Sequence, residues 1–408
     1  MNIVHISTRD GNGGAFEATS RLHTALREVD VNVNSTIITQ NKTSNLDDVR
    51  GPSGDLGTLY DYIRRKIDQV PLLLYPNRNS RLFSSSIVPS RSQRKYEFSN
   101  YDIINLHWIT GGFIKIEEMS ELNSKIVWTL HDMWPFTGGC HYTNGCKKYT
   151  DICQSCPHLN SKKKDDLANR NHIRKLKSWE DTNFTVIAPS KWLAEQAKKS
   201  SIFSDSNIYV IPNTLNINKY RPRENTEIRS SLNISPEKSI ILFGASRDSY
   251  LKGSDLFYDS LCHLNDYSDI VVITFGKTTV KQNIPDDLDI KRLGFIPSKK
   301  LRHLYSAADV MVVPSRQEAF GQTASEAMSS GTPVVAFKTT GLRDVVDHKQ
   351  NGYLATPFEQ RDLAKGIEWC MRKQKISQNL GINARNKAVG EYSYQVVANK
   401  YIDLYKKI

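Results

Sequence analysis

Short apolar stretches alternate with amphipathic segments along most of the chain. In the first half, the stretches rich in β-branched residues span 2–7, 35–39, 102–108, 125–132, 184–190 and 208–213. In the second half they span 239–246, 269–276, 291–296, 309–315 and 332–338. Most of them are apolar throughout, which is typical of parallel strands that are buried on both faces. The pattern predicts an α/β fold in which helices connect parallel strands.

The two series of stretches are separated by a polar segment from Asn216 to Lys238. A chain of 408 residues is also longer than one ordinary domain. We therefore expect two Rossmann-like doubly wound domains, over 1–214 and 215–392, with a final helix near 393–408 that packs back on the first domain. Ligands of open α/β sheets bind beyond the carboxyl ends of the strands, so the expected site lies in a cleft between the domains.

The net charge of +12 favours an anionic partner. A nucleic-acid-binding protein with a zinc-binding cysteine cluster is one alternative. It would need clustered basic residues with interleaved aromatic residues on one surface. The basic residues of this chain are scattered, so we expect no nucleic-acid partner. Phosphorylated small molecules and acidic lipid headgroups remain the favoured anions.

The first ten residues, "MNIVHISTRD", reach charged residues before any apolar segment that is long enough for a secretion signal. No apolar run approaches the roughly 20 residues of a membrane span. We therefore expect a cytoplasmic protein. The segment 59–75, "LYDYIRRKIDQVPLLLY", mixes apolar, aromatic and basic residues. Two interpretations stay open for it: an ordinary helix packed on the sheet, or an amphipathic helix that contacts a membrane surface.

Residues 315–338 read "SRQEAFGQTASEAMSSGTPVVAFK" and follow a predicted strand. A helix is predicted to begin within this segment, and its unpaired N–H groups and partial positive charge suit a diphosphate. Gly321 would let a ligand approach the backbone. Glu318 precedes the turn, where a carboxylate can accept hydrogen bonds from sugar hydroxyls. Glu326 lies about one turn into the helix, where it could bind a ribose diol.

Two further segments place candidate phosphate-binding groups after a strand. In "GASRDSYLKGSDLF" (244–257), Arg247 and Lys252 form a candidate phosphate clamp between a strand and a helix. In "GGAFEAT" (13–19), a glycine-rich turn follows the first strand, and Gly14 could approach a phosphate. The glycine spacing there is not that of the dinucleotide-binding fingerprint. Both segments favour binding of a phosphorylated ligand.

A histidine and a cysteine cluster follow the strand near 125–132. His131 lies just past the carboxyl end of that strand, where catalytic side chains of such folds are found. Four cysteines come next in the pattern C-x5-C-x6-C-x2-C, namely Cys140, Cys146, Cys153 and Cys156. Four thiolates could hold one structural zinc ion. Free thiols and disulfides are the alternatives, and a cytosolic setting disfavours disulfides.

Eight ordered segments together resemble glycosyltransferase family 4, a large family of retaining enzymes with the two-domain GT-B fold. The matching segments are "GGAFEAT", "TLHD", "APSKWLAEQ", "VIPNTLNINKYRP", "GASRDSYLKG", "LGFIP", "EAFGQTASE" and "SSGTPVVAFKTTGLRDVV". The pattern "HDMWPFTGGCHY", with its cysteines, is similar to the branch that assembles colanic acid, capsule and O-antigen. One departure is "GLRDVV", in which Asp344 stands where the family often has a glutamate.

The resemblance implies a role for each matching residue. Glu318 and His131 would be the catalytic residues: Glu318 would bind hydroxyls of the donor sugar and stabilise the reacting ring, and His131 would contact that sugar from beneath. Glu326 would bind the ribose, and Arg247 with Lys252 would hold the diphosphate. The remaining donor-binding positions are implied to be Gly14, Phe295, Ile296, Phe320, Gly321 and Gln322.

The resemblance implies that a sugar moves from a UDP- or GDP-sugar to a glycan acceptor in surface polysaccharide biosynthesis. The 1–214 domain would bind the acceptor and the 215–392 domain the donor. We expect the acceptor to be lipid-diphosphate-linked, with the enzyme at the cytoplasmic face of the inner membrane. Asp287 and Asp289 are expected in a polar loop, so we predict no catalytic metal. A sugar-nucleotide epimerase or a phosphorylase of the same fold is the alternative.

Overall fold

The computed structural model describes residues 1–11, 13–44, 46, 48–90, 97–122, 124–245, 250–278, 284–377 and 379–408. The chain divides into two compact units. The first unit contains Met1–Thr214 together with Val397–Ile408, and the second unit contains Leu215–Val396. Each unit is built around one parallel sheet.

The first unit has a seven-stranded sheet in the order β3-β2-β1-β4-β5-β6-β7. Its strands are β1 (Asn2–Arg9), β2 (Asn34–Asn41), β3 (Val49–Arg50), β4 (Ile103–Leu106), β5 (Lys125–Thr129), β6 (Thr185–Ala188) and β7 (Asn207–Val210). Its helices before the second unit are α1 (Gly14–Val29), α2 (Gly54–Gln69), α3 (Leu167–Trp179) and α4 (Lys191–Lys198). Strand order reverses between β1 and β4, so the connections on either side of this point diverge.

The second unit has a six-stranded sheet in the order β10-β9-β8-β11-β12-β13. Its strands are β8 (Ser239–Ala245), β9 (Ile270–Gly276), β10 (Asp289–Arg292), β11 (Val310–Val313), β12 (Val334–Phe337) and β13 (Gly352–Ala355). Its helices are α5 (Thr226–Ser231), α6 (Ser254–Leu261), α7 (Ser298–Ala307), α8 (Gln322–Ser329), α9 (Leu342–Val345), α10 (Gln360–Ser377) and α11 (Asn379–Tyr392). The order reverses between β8 and β11.

Strand β8 of the second sheet is buried on both faces. Ile240 and Leu242 pack in one hydrophobic core, whereas Ile241 and Phe243 pack in the core on the other side. Because successive residues of a strand point to opposite faces, two apolar cores require a strand that is apolar at every position. This explains the uninterrupted apolar stretches of the sequence and confirms the prediction of an α/β fold with parallel sheets.

Several strand predictions need correction. The apolar stretch 291–296 is not one strand, because β10 ends at Arg292 and the following residues form a loop. Asp289, which was expected in a loop, is the first residue of β10 and pairs with Val271. The short strands β3 and β13 were not predicted, since two to four residues carry too little periodicity.

The last helix, α12 (Tyr394–Lys407), returns the chain to the first unit. The hydroxyl of Tyr405 accepts a hydrogen bond from Asn105 Nδ2 at 2.8 Å, and the Tyr401 hydroxyl lies 3.3 Å from Thr129 Oγ1. Asn105 is fully buried in β4. The first sheet therefore depends on the end of the chain to satisfy polar groups in its interior. Within the described ranges, no helix combines the length and the apolar character needed to cross a membrane.

Candidate functional site

Lys252 and Glu318 meet at the point where the strand order of the second sheet reverses. Lys252 lies in the loop that follows β8, and Glu318 lies in the loop that follows β11, its neighbour. The ammonium of Lys252 donates a hydrogen bond to Oε1 of Glu318, and Ser315 Oγ donates to the same oxygen at 3.0 Å. The structure thus brings together two residues that are 66 positions apart, at the sheet edge where such folds bind ligands.

A second ion pair ties these two loops to each other. Arg316 forms two hydrogen bonds, of 2.7 and 2.6 Å, with the carboxylate of Asp255 in the first turn of α6. Its guanidinium lies 4.0 Å from the centre of the Tyr250 ring. Burial would raise the pKa of Asp255, but the hydrogen bonds and charge of Arg316 hold it below its usual value. Two parallel hydrogen bonds between a guanidinium and a carboxylate make a strong ion pair. This pair therefore fixes the loop that carries Glu318.

A glycine allows the loop after β8 to pass close to the end of β11. Gly253 has φ of 70°, and a Cβ atom added there would lie 2.0 Å from the carbonyl oxygen of Pro314. Any other residue would therefore strain the backbone and collide with the neighbouring loop. Gly253 directly follows Lys252 and precedes α6. The tight passage positions Lys252 beside the loop of Glu318.

The turn before α8 carries three of the predicted donor-binding residues. Phe320 is buried and packs edge-on against Tyr392, with ring centres 5.3 Å apart. Gly321 has φ of 106°, and Gln322 is the first residue of α8. An α-helix begins with N–H groups that lack partners within the helix, so this end of α8 suits a negatively charged group. Phe320 anchors the turn in the core, and its side chain is not a surface for a ligand.

The other predicted donor-binding residues of the second unit differ in how far they are exposed to solvent. Glu326 is buried in α8, and its Oε2 accepts a hydrogen bond from the Tyr305 hydroxyl at 3.0 Å. After β10, the Phe295 side chain is 87% exposed, whereas Ile296 is buried in the core. Their roles toward ribose and base stay predictions. Arg247 lies outside the described residues.

In the first unit, His131 belongs to a chain of three hydrogen-bonded histidines. His131 Nε2 lies 2.8 Å from His107 Nδ1, and His107 Nε2 lies 2.9 Å from His5 Nδ1. They come from the carboxyl ends of β5 and β4 and from the middle of β1. A neutral imidazole has one donor and one acceptor nitrogen, so the tautomer of each ring sets that of the next. The three rings therefore have two consistent arrangements of protons, and the tautomer of His131 is coupled to those of His107 and His5.

All three histidines are held in the neutral form. Burial lowers the pKa of His131 to about 4, against the opposing charge of Asp132. Burial, with the charge of neighbouring histidines, also lowers the pKa of His107 and of His5 well below 6.5. A neutral imidazole can exchange a hydrogen bond with a ligand without presenting a charge. His107 was not predicted as a site residue, although it follows an apolar strand just as His131 does.

Acidification from about pH 7 to pH 5 should destabilise the first unit. In the unfolded chain His5 and His107 should titrate near pH 6.5, whereas folding lowers the pKa of both. The unfolded state then binds more protons, so the free energy of unfolding decreases as the pH falls below about 6.5. The decrease is up to about 1.4 kcal/mol per pH unit for each histidine. Thermal unfolding across this range measures it, and a His107→Gln variant with an unchanged slope would contradict it.

Both carboxylate oxygens of Asp132, which follows His131 in the chain, have hydrogen-bonding partners. Its Oδ2 accepts a hydrogen bond from Trp108 Nε1 at 2.9 Å and lies 2.7 Å from His141 Nδ1. Its Oδ1 accepts from the backbone N–H of Trp134. Burial would raise the pKa of Asp132, but His141 and these hydrogen bonds lower it. Asp132 therefore fixes the loop after β5 and, with it, the position of His131.

The four clustered cysteines are free thiols, and three of them are buried. Burial raises the pKa of Cys153 to about 12 and that of Cys156 to about 11, which favours thiols over thiolates. No group of three or more histidine, cysteine, aspartate or glutamate side chains among the described residues has the arrangement of a metal site. The zinc and disulfide interpretations are therefore not supported. Close to these cysteines, the buried ammonium of Lys175 donates a hydrogen bond to the carbonyl oxygen of Thr137 at 2.9 Å.

Gly14 is the first residue of α1, directly after the turn that follows β1. The preceding Gly13 has φ of 121° and begins this helix as its N-cap. Gly14 and His131 thus lie at the carboxyl edge of the first sheet, while Lys252 and Glu318 lie at that of the second. The roles predicted for these four residues stay predictions.

Comparison with solved structures shows a shared fold at low sequence identity. The sucrose-phosphate synthase of Thermosynechococcus elongatus superposes with a TM-score of 0.70 at 19% identity and covers 100% of this chain and 98% of its own. HepE of Anabaena, solved with UDP-glucose, gives a TM-score of 0.64 at 18% identity, with 100% of both chains covered. These likenesses confirm the prediction of the GT-B fold class.

Comparison with curated proteins gives partial matches. An uncharacterised glycosyltransferase of Methanocaldococcus jannaschii is 28% identical over 234 residues, which are 54% of this chain and 59% of that protein. The D-inositol 3-phosphate glycosyltransferase of Xylanimonas cellulosilytica is 32% identical over 164 residues, 36% of this chain and 39% of that protein. The chain thus matches less than two thirds of the length of either relative.

Two family models account for most of the chain. The model described as "Glycosyl transferases group 1" matches residues 224–387, within the second unit. The model described as "Glycosyltransferase Family 4" matches residues 12–219, about half of the chain. The chain therefore belongs to glycosyltransferase family 4.

Proposed function

We propose that the protein is a retaining glycosyltransferase that moves a sugar from a nucleotide-sugar donor to a glycan acceptor. The observation that carries the proposal is the meeting of Lys252 and Glu318 where the strand order of the second sheet reverses. A cation for the phosphates and a carboxylate for the sugar thus lie side by side. Membership of glycosyltransferase family 4 supports the reaction class, and retention of the anomeric configuration rests on resemblance to the family.

The chemistry of the transfer explains why both charges are needed. Breaking the bond between sugar and phosphate develops positive charge on the anomeric carbon and negative charge on the departing nucleoside diphosphate. Fixed charges aimed at these developing charges stabilise the transition state. Lys252, with the start of α8, would stabilise the diphosphate, and Glu318 would bind the donor sugar. Because Lys252 supplies positive charge, we propose that catalysis does not require a metal ion.

Relatives suggest the kind of donor and acceptor. HepE of Anabaena was solved with UDP-glucose, which supports a nucleotide-sugar donor, here a UDP- or GDP-sugar. WaaG, which shares the fold at a TM-score of 0.59, is involved in lipopolysaccharide biosynthesis. The net charge of +12 suits an anionic acceptor. We propose a lipid-diphosphate-linked glycan as the acceptor, in surface polysaccharide assembly at the cytoplasmic face of the membrane.

A nucleotide should stabilise the folded protein against heat. The purified protein is heated with UDP, GDP, ADP and the corresponding nucleotide sugars. Binding to the folded state should add about 2.7 kcal/mol of stability at a ligand concentration of about 100 times Kd. We expect one base to raise Tm by several degrees. Uridine and guanosine serve as controls and should have little effect, because they lack the diphosphate that Lys252 would bind. If no nucleotide or nucleotide sugar raised Tm, the proposal would be wrong.

A further inference from the structure

Helix α2 exposes its apolar side and buries its polar side. Helix α2 belongs to the first unit. Asp61, Arg64 and Asp68 are buried on the side of α2 that packs against the rest of that unit. The opposite side is mostly apolar and continues into the 3-10 turn Val70–Leu74. Its exposed side chains are Leu56, Leu59, Tyr62, Ile63, Ile67, Val70, Leu73 and Leu74. We call these residues the apolar stripe, since most of those in α2 recur at the spacing of three and four that places residues on one helix face.

The exposure of the apolar stripe is large. Leu56 is 81% exposed, Leu73 is 73% exposed and Leu74 is 76% exposed. Single exposed apolar residues are ordinary, but contiguous apolar patches on a soluble protein mark surfaces that meet a partner or a membrane. The other exposed large apolar side chains among the described residues are spread along the chain, for example at Val31 and Ile382.

Polar contacts hold α2 in this orientation. The guanidinium of Arg64 donates to the carbonyl oxygens of Gly112 and Pro89, both at 2.7 Å. Asp61 Oδ1 accepts from Gln40 at 2.7 Å. Turning the apolar stripe inward would break these bonds and leave buried charges without partners, which is costly. The exposure of the stripe is therefore built into the fold.

The charges that border the apolar stripe are mainly basic. Between residues 54 and 82, Lys66 and Arg78 are exposed and Arg81 is partly exposed. Arg65 is also partly exposed, but its guanidinium forms an ion pair with Asp61 at 2.6 Å. Of the three aspartates there, Asp61 and Asp68 are buried, and Asp55 is exposed. An apolar helix face with a basic border is typical of helices that lie in the interface of an anionic membrane.

We infer that the apolar stripe and its basic border bind the surface of an anionic lipid bilayer. The apolar side chains would enter the boundary between headgroups and acyl chains, and Lys66 and Arg78 would contact the phosphates. A second copy of the chain fits less well, since a two-fold interface would bring the two basic borders together. The inference deepens the proposed function by naming the surface and the lipid class. The inference rests on the proposed function in one respect, because that function gives the protein a reason to approach a membrane.

Vesicle sedimentation tests the inference with the full chain. We expect the protein to bind vesicles of equal parts phosphatidylcholine and phosphatidylglycerol, and to bind pure phosphatidylcholine weakly. The triple variant Leu56→Gln, Ile63→Gln, Leu74→Gln should lower binding to the anionic vesicles by at least about 100-fold, since each exposed side chain loses its apolar contact. The variant Lys66→Gln, Arg78→Gln should remove most of the preference for anionic lipid.

A matched control carries the same chemical change at other exposed positions, namely Val31→Gln, Ile376→Gln and Ile382→Gln. It should bind vesicles like the parent protein. Equal binding by the parent and the stripe variant would overturn the inference. The inference would also be overturned if the parent protein formed dimers in solution and did not bind vesicles, while the stripe variant was monomeric. Because the nucleotide-induced rise in Tm should persist in that variant, failure here is distinguishable from failure of the proposed function.

Discussion

Replacing Lys252 by alanine should lower the turnover of sugar transfer by at least about 100-fold. The ammonium of Lys252 lies at the carboxyl edge of the second sheet, paired with Glu318. Its removal leaves the departing diphosphate without this fixed charge, which is of most value in the transition state. The measurement is the initial rate of transfer with the nucleotide sugar identified by thermal shift. The variant should also lose most of the stabilisation by nucleoside diphosphate.

The matched control for this variant is Lys365→Ala, since Lys365 is an exposed lysine of α10 in the same unit. The control should transfer sugar at the parental rate. Because the Lys252 side chain is one-third exposed, its loss should leave the fold intact. Parental turnover in a folded Lys252→Ala protein would contradict the assignment of the phosphate-binding group.

The Glu318→Gln variant should also lose at least about 100-fold in turnover, while it keeps its response to nucleoside diphosphate. The amide has nearly the size of the carboxylate but no charge. It can neither balance the positive charge that develops on the sugar ring nor form an ion pair with Lys252. The two variants therefore separate the two functions, because Lys252→Ala should weaken both diphosphate binding and transfer.

Glu359→Gln is the control for this change, since Glu359 is exposed just before α10. In the double variant of Lys252 and Glu318, the losses should be far from additive, because the two side chains act as one bonded pair. If Glu318→Gln abolished the diphosphate response as completely as Lys252→Ala does, the carboxylate would be organising the phosphate site instead of binding the sugar.

The sequence predicts the existence of most strands, because buried parallel strands leave long apolar runs. Lys252 and Glu318 could be placed at one sheet edge, since each follows such a run. Their direct contact could not be predicted, because it depends on β8 and β11 being neighbours in the sheet. The pair of Arg316 and Asp255 was missed for the same reason.

The orientation of α2 shows a different limit of sequence analysis. A period of three to four tells which residues share a helix face, but not whether that face is buried. The buried polar contacts of Asp61 and Arg64 decide the question, and their partners lie in distant parts of the chain. For the cysteines, the spacing suggested zinc, whereas the structure shows free thiols without a metal-site arrangement among the described residues.

The return of α12 to the first unit matters for protein engineering. A fragment that stops at Thr214 would lack Tyr401 and Tyr405, whose hydroxyls lie within hydrogen-bonding distance of Thr129 and Asn105 in the first sheet. A chimaera that exchanges the second unit between two enzymes therefore needs two junctions, one near Leu215 and one near Val397. Chimaeras joined at a single junction would combine a first sheet with a foreign terminal peptide.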